Sequence, residues 1–224
     1  MAILEAQNLS YSYRTKYQTV QAVREVSCQW EKGVFYALIG KSGSGKTTLL
    51  SLLAGLEQPQ SGSVLVDGTD LKEMDLDLYR RSQASVIYQS YNLFPLMTVC
   101  ENVMYPLKLM KKTDAQARAE AQKVLSKVGL DSGYWKRLPA MLSGGEQQRV
   151  AIARTLAVHA DIILADEPTG NLDTETSAQI IDLFADLAHQ ENCCVLVVTH
   201  DPEVARAADR VFQMNSGRLE EEAP

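Results

Sequence analysis

The sequence predicts an α/β fold: a parallel sheet between helices, an antiparallel layer at its N-terminal side, and an inserted helical subdomain. Three observations predict it. Val34 to Ile39, Ile162 to Ala165 and Val195 to Thr199 are continuous apolar runs too short for helices, which reads as strands buried on both faces. Helical patterns lie between them, such as Thr47 to Leu53 with its four leucines. The start of the chain, up to about residue 35, and the stretch Gly62 to Asp70 read instead as short strands with turns, the antiparallel layer.

Composition fits one substantial core. The 224 residues are 46% hydrophobic and 22% charged, which excludes disordered and fibrous classes. No repeat and no Gly/Ser- or Pro-rich linker divides the chain, so residues 1–224 read as a single domain. Its core spans about residues 1–91 and 159–224, and the strand-free stretch of about 92–158, including the helical pattern Thr113 to Val128, is the inserted helical subdomain. The net charge of −6, with no long Lys/Arg run, argues against a nucleic-acid partner. No apolar run approaches the roughly 20 residues of a spanning helix, and the N-terminus lacks the pattern of a secretory signal. The four cysteines show no CxxC spacing; Cys193 and Cys194 read as buried small hydrophobes in a reducing setting rather than zinc ligands.

In chain order, the first candidate is Tyr13 in the antiparallel layer, with Tyr11 and Tyr17 as less well placed neighbours. Next, Gly40-Lys41-Ser42-Gly43-Ser44-Gly45-Lys46-Thr47 matches G-x-x-x-x-G-K-[ST] between a strand and a helix. Its glycines let backbone N–H groups turn around phosphate oxygens, and the helix that follows offers its positive end to the same anion. Lys46 neutralises the β- and γ-phosphates, and the Thr47 hydroxyl is placed to ligate Mg²⁺. Kinases, GTPases, motors and transport ATPases all carry such a loop, so alone it leaves the class open.

Gln89 follows Tyr88 just before the helical stretch. Ser143 and Glu146 form an S-x-x-E capping box, with Gly144 and Gly145 leaving the helix N–H groups accessible, a pattern that fits an ordinary capped helix or a second phosphate-binding helix end. The strand Ile162 to Ala165 runs into Asp166 and Glu167, where a carboxylate needs a compensating charge or hydrogen bond. The pair alone fits an acidic cap or solvated turn; together with the phosphate loop, Asp166 reads as a metal holder and Glu167 as a proton acceptor. His200 ends an apolar strand, and Asp201-Pro202 reads as the N-cap and first residue of a helix. His159 and His189 read as surface residues, and Glu220 to Glu222 as a solvated end.

Leu142-Ser143-Gly144-Gly145-Glu146-Gln147-Gln148-Arg149 resembles, residue for residue, the signature of ATP-binding cassette (ABC) ATPases. The resemblance covers essentially the whole chain and implies a P-loop NTPase (RecA-like) core. Gly40 to Thr47 resembles Walker A, Ile162 to Glu167 Walker B, Gln89 the Q-loop glutamine, Asn171-Leu172-Asp173 the D-loop and His200 the switch histidine. It implies ATP and Mg²⁺ as cofactors, Tyr13 stacked on adenine, and Gly40 to Thr48 on the phosphates. Thr47, Gln89 and Asp166 would hold the metal, while Lys46, Gln89, Glu167 and His200 would serve catalysis. Ser143, Gly144 and Gly145 would close on the nucleotide of a second copy. Lys41 departs from the proline or serine of many relatives.

Leu164 to Asp173 further resembles the macrolide-exporter, lipoprotein-releasing and cell-division ATPases. That likeness implies an ATP-dependent homodimer driving an integral-membrane permease from the cytoplasmic face of the membrane, with an extracytoplasmic adaptor as a further partner. Export or extraction of a lipoprotein, peptide or antibiotic-like substrate would follow. The alternative is a cell-division-type ATPase signalling to an envelope enzyme. Chromosome-organising ATPases share the signature, but Lys46 and Ser143 lie too close in sequence for their coiled-coil insertion.

Overall fold

The computed structural model describes residues 2–222. Two long strands open the chain, β1 (Ala2–Arg14) and β2 (Thr19–Glu31), paired antiparallel through a tight turn in which the Thr15 N–H bonds to the Gln18 carbonyl at 2.9 Å. The expected short strands here are therefore two continuous ones. Register shifts near Ala6–Leu9 and Tyr11, with Asn8 and Glu25 at positive φ, break the alternation that reveals strand length in a sequence. The strands β4 (Ser61–Val66) and β5 (Thr69–Asp70) complete a four-stranded antiparallel sheet in the order β2-β1-β4-β5.

The second sheet is built on β3 (Val34–Ile39), β6 (Ala84–Ile87), β7 (Ile162–Asp166), β8 (Cys194–Val198), β9 (Arg210–Asn215) and β10 (Arg218–Glu221). Its order is β10-β9-β3-β8-β7-β6, parallel throughout except for the β9–β10 hairpin. The acidic end read as solvated is this edge strand: Glu221 receives the Arg210 guanidinium on both oxygens, at 2.7 and 2.9 Å, and the Glu222 N–H bonds to the Val211 carbonyl. The hairpin turns at Ser216 and Gly217, both at positive φ.

Helix α1 (Lys46–Leu53) lies between the two sheets, with Leu49, Leu50, Leu52 and Leu53 all buried among Leu4, Leu9, Trp30, Leu38 and Leu164. A helix apolar on more than one face belongs in such a two-sided core. After α2 (Leu76–Ser82) and β6, the chain is helical from α3 (Val99–Leu109) through α4 (Asp114–Lys127) to α5 (Gly144–Leu156). These three pack on one another and, with α6 (Thr174–His189), cover the other sheet face in a second core containing Phe35, Val103, Leu125, Ile152 and Phe184. Thr98, Thr113 and Ser143 each start a helix with a reciprocal capping box. Asp201 caps the short α7 (Pro202–Ala207), with Pro202 in its first turn. Among the described residues no helix is long and apolar enough to cross a membrane.

Register positions the candidate residues. Val198 on β8 pairs with Leu38 on one side and Asp166 on the other. The chain segments that leave β3, β7 and β8 therefore emerge level with one another, at the carboxyl edge where open α/β sheets bind ligands.

Candidate functional site

The loop from Gly40 to Gly45 leaves β3 and enters α1 in a conformation that only glycine accepts at two points. A Cβ on Gly45, at φ 109, would lie 2.0 Å from the Ala22 carbonyl oxygen, and one on Gly40 would lie 2.4 Å from that of Met214. The loop is thus clamped between β2 and the β9–β10 hairpin. No side chain caps α1, so the N–H groups of its first turn are available to an anion. Lys46, nine per cent exposed, donates to the carbonyls of Gly40 at 2.7 Å and Lys41 at 3.2 Å. The Ser44 hydroxyl is buried and has no protein partner. An uncapped helix end, a buried ammonium and an orphaned buried hydroxyl around one glycine-rich turn suit a polyphosphate.

Asp166 closes β7 and is 8% exposed. Burial pushes its carboxyl pKa up, as does the neighbouring Glu167 charge, while the Thr47 hydroxyl and Lys46 oppose the shift. The desolvated Asp166 carboxylate beside the Thr47 hydroxyl, with the Gln89 amide on the same cavity wall, offers oxygen donors that suit Mg²⁺. Glu167 sits at φ 49, outside the ordinary range for its residue type, and its N–H bonds to the Val198 carbonyl. Its carboxylate lies 2.9 Å from His200 Nδ1 and accepts the Thr199 hydroxyl at 3.3 Å.

These groups surround one cavity of about 650 Å³. Tyr13, Gly40, Ser42, Gly43, Gly45, Lys46, Thr47, Thr48, Gln89, Asp166, Glu167 and His200 all line it. Tyr13 is 47% exposed at its mouth, its hydroxyl 3.3 Å from that of Thr48, and Tyr11 packs edge-on against it at 5.1 Å. Tyr11 itself is tied to Glu57, and Tyr17 stands almost fully exposed outside the cavity wall. Two wall residues, Val20 and Ala22 on β2, escaped the sequence reading; a β-strand's apolar alternation carries no sign that its edge meets a distant loop. A larger cavity of about 780 Å³ between α6 and α7 shares Glu167 and His200 but contains no part of the phosphate loop, so the smaller one is the better fit for a polyphosphate.

Five candidates lie outside this wall. Lys41 is exposed, its carbonyl rather than its charge serving the loop, and Ser44 is beneath the surface. Ser143, Gly144 and Gly145, at the start of α5, form no part of the cavity wall. There the Ser143 N–H donates to the Glu146 carboxylate at 2.6 Å, which holds that carboxyl below its usual range. Ser143 and Gly144 are exposed, while Gly145 packs on Asn171 and Leu172. His159 and His189 are exposed as expected but not isolated: each bonds a carboxylate at 2.8 Å, Glu120 and Asp209 respectively.

The sequence pattern of the family described as ABC transporter matches residues 23–170. The chain is 41% identical over 224 residues to the lipoprotein-releasing system ATP-binding protein LolD of Chromohalobacter salexigens, covering 99% of this chain and 94% of LolD. It is 39% identical over 228 residues to the macrolide export ATP-binding/permease protein MacB of Syntrophobacter fumaroxidans, covering 100% of this chain but 32% of MacB. Among solved structures, the dimeric bacterial ABC transporter cassette MJ0796 superposes with a TM-score of 0.94 at 35% identity, over 98% of this chain and 97% of that one. The same cassette in a post-hydrolysis state bound to ADP and Pi gives a TM-score of 0.93.

Proposed function

The chain belongs to the ABC transporter family of ATP-hydrolysing cassettes, and on that premise we propose how its residues divide the work and what it drives. The observation that carries the reading is the single cavity joining Lys46, Thr47, Gln89, Asp166, Glu167 and His200, set apart from an exposed helix end at Ser143 and Gly144. Tyr13 stacks on the adenine. The Gly40–Thr48 segment holds the phosphates through backbone N–H groups, with Lys46 exchanging its loop carbonyls for phosphate oxygens. Thr47, Gln89 and Asp166 would hold Mg²⁺, which would supply charge neutralisation to the phosphates. Glu167 takes the proton of the attacking water, while His200 and the Thr199 hydroxyl fix its carboxylate. The Ser143-Gly144-Gly145 helix end of a second copy completes the site, because two helix ends facing one triphosphate neutralise more charge than one.

The ATP-driven dimer works on a separate membrane permease from the cytoplasmic face of the membrane. The similarity to LolD and MacB supports a lipoprotein, peptide or antibiotic-like substrate that is extracted or exported, with an extracytoplasmic adaptor in the assembly. The permease contact falls in the groove of about 280 Å³ beside the helical subdomain, where Arg80, Arg81, Phe94 and Tyr105 suit an acidic and apolar segment.

Glu167→Gln tests the division of roles. The amide keeps the side chain's shape but accepts no proton, so hydrolysis falls while Mg-ATP still binds. On size-exclusion chromatography with light scattering the variant is expected to run as a monomer alone or with ADP and as a dimer with ATP. Adding Ser143→Arg should abolish the dimer. Wild-type hydrolysis by Glu167→Gln would remove that residue from the catalytic role, and an ATP-bound variant that stays monomeric would remove the shared site.

A further inference from the structure

Gln89 lies on a loop whose two limbs are bonded to consecutive residues of α5. On the strand side, the Thr155 hydroxyl donates to the Val86 carbonyl and the Ser85 hydroxyl to the Thr155 carbonyl, both at 3.4 Å. On the far side, the Arg154 guanidinium donates to the carbonyls of Asn92 at 2.7 Å and Tyr91 at 3.0 Å. The Arg154 fork is thus directed at main-chain carbonyls, in a setting where burial presses its pKa down. Tyr91 also reaches the other end of the same helix: its hydroxyl lies 2.9 Å from where a Cβ on Gly144 would be. The turn between them is held at a positive φ on Asn92, whose side chain accepts the Ser90 hydroxyl at 3.3 Å. Beyond it, Asn102, fully buried, ties Phe94 to α3 through both its N–H and its carbonyl.

We infer that Arg154 is a positioning residue that straps the segment after Gln89 along α5, so that the cavity-lining glutamine and the Ser143–Gly145 helix end move as one unit. A displacement of Gln89 by nucleotide reaches α5 through both limbs, and the helix transmits it to its own first turn because backbone hydrogen bonds make it stiff. Tyr91 filling the space over Gly144 gives that transmission a second contact. The guanidinium is suited to this duty because its planar fork bonds two carbonyls at once, which an ammonium does not do in a fixed geometry.

The inference rests on the nucleotide roles proposed above. It is tested with the full chain carrying Glu167→Gln, by hydrogen exchange of residues 40–48 and 143–147 and by dimer affinity from sedimentation. In the parent, Mg-ATP is expected to protect both segments. In Arg154→Met, Mg-ATP should bind the monomer with the parent's affinity and protect 40–48, yet leave 143–147 unprotected and weaken the dimer by about tenfold. Arg154→Lys, which keeps the buried charge and loses the fork, should fall between them, and it decides the matter alone where Arg154→Met does not fold. Parent-like dimerisation in Arg154→Lys and Arg154→Met would overturn the inference. So would an equal loss of ATP affinity and dimer affinity, the mark of a merely structural role. Absence of protection at 40–48 in the parent would overturn the nucleotide reading itself, and this inference with it.

Discussion

At the residue scale, Tyr13 and Asp166 carry opposite kinds of information. Tyr13 is a half-exposed ring at the cavity mouth, steadied by Thr48 and Tyr11, so it offers a face to a planar base without needing to move. Tyr13→Ala is expected to weaken ATP binding by about 1–3 kcal/mol, the value of one aromatic–base stack, with little change in single-turnover hydrolysis; nucleotide titration by fluorescence measures it. Asp166 is instead a strained charge. Its carboxyl pKa is raised above the usual 3.8, chiefly by burial. Such a group favours the fold below its unfolded pKa and loses that contribution as pH rises through the raised value. Asp166→Asn should therefore melt higher than wild type at neutral pH without nucleotide, lose that advantage in acid, and gain less than wild type from added Mg-ATP. Calorimetry with and without Mg-ATP checks all three. The candidate residues of the phosphate loop and of the strand ends stand out in the sequence because each breaks a local rule, such as charge after an apolar strand. Val20 and Ala22 break none, and the Ala22 carbonyl reaches Gly45 only through folding.

The elements divide in the same way. β3, α1, β7 and β8 are legible because their apolar runs are continuous and short, as burial on both faces requires. The helix starts at Ser143 and Asp201 were written in their caps. β10 was not, since Arg218-Leu219-Glu220-Glu221 is polar and its pairing depends on a distant partner, Arg210, across the Gly217 turn. Arg210 holds the Glu221 carboxyl below its usual 4.5, so the pair favours the hairpin above that value and is lost as pH falls through the lowered one. Glu221→Gln is expected to speed amide exchange in β10 near neutral pH, where the wild-type pair is intact, and to cost under about 1 kcal/mol, as an exposed ion pair does. Unchanged exchange would show that the backbone ladder alone holds the edge.

For the whole molecule, nucleotide and assembly are linked. A ligand that binds only the folded state raises stability by mass action, by about 2.7 kcal/mol at one hundred times its Kd. If ATP also joins two chains, the melting point of Glu167→Gln with Mg-ATP should rise with protein concentration, whereas with ADP it should not; scanning fluorimetry across a hundredfold dilution series separates the two. The sequence by itself determined the candidate groups: the phosphate loop, the Asp166-Glu167 pair and the Ser143 cap are contiguous runs whose spacing along a strand or helix is fixed by covalent geometry. The tertiary structure decided which runs meet. Val198 sets Leu38 and Asp166 level, which gathers the cavity, while the start of α5 stays exposed outside its wall. Those relations are made by strand register and helix packing between residues far apart in the chain. No local pattern encodes them, because each is the outcome of two cores closing at once on opposite faces of one sheet.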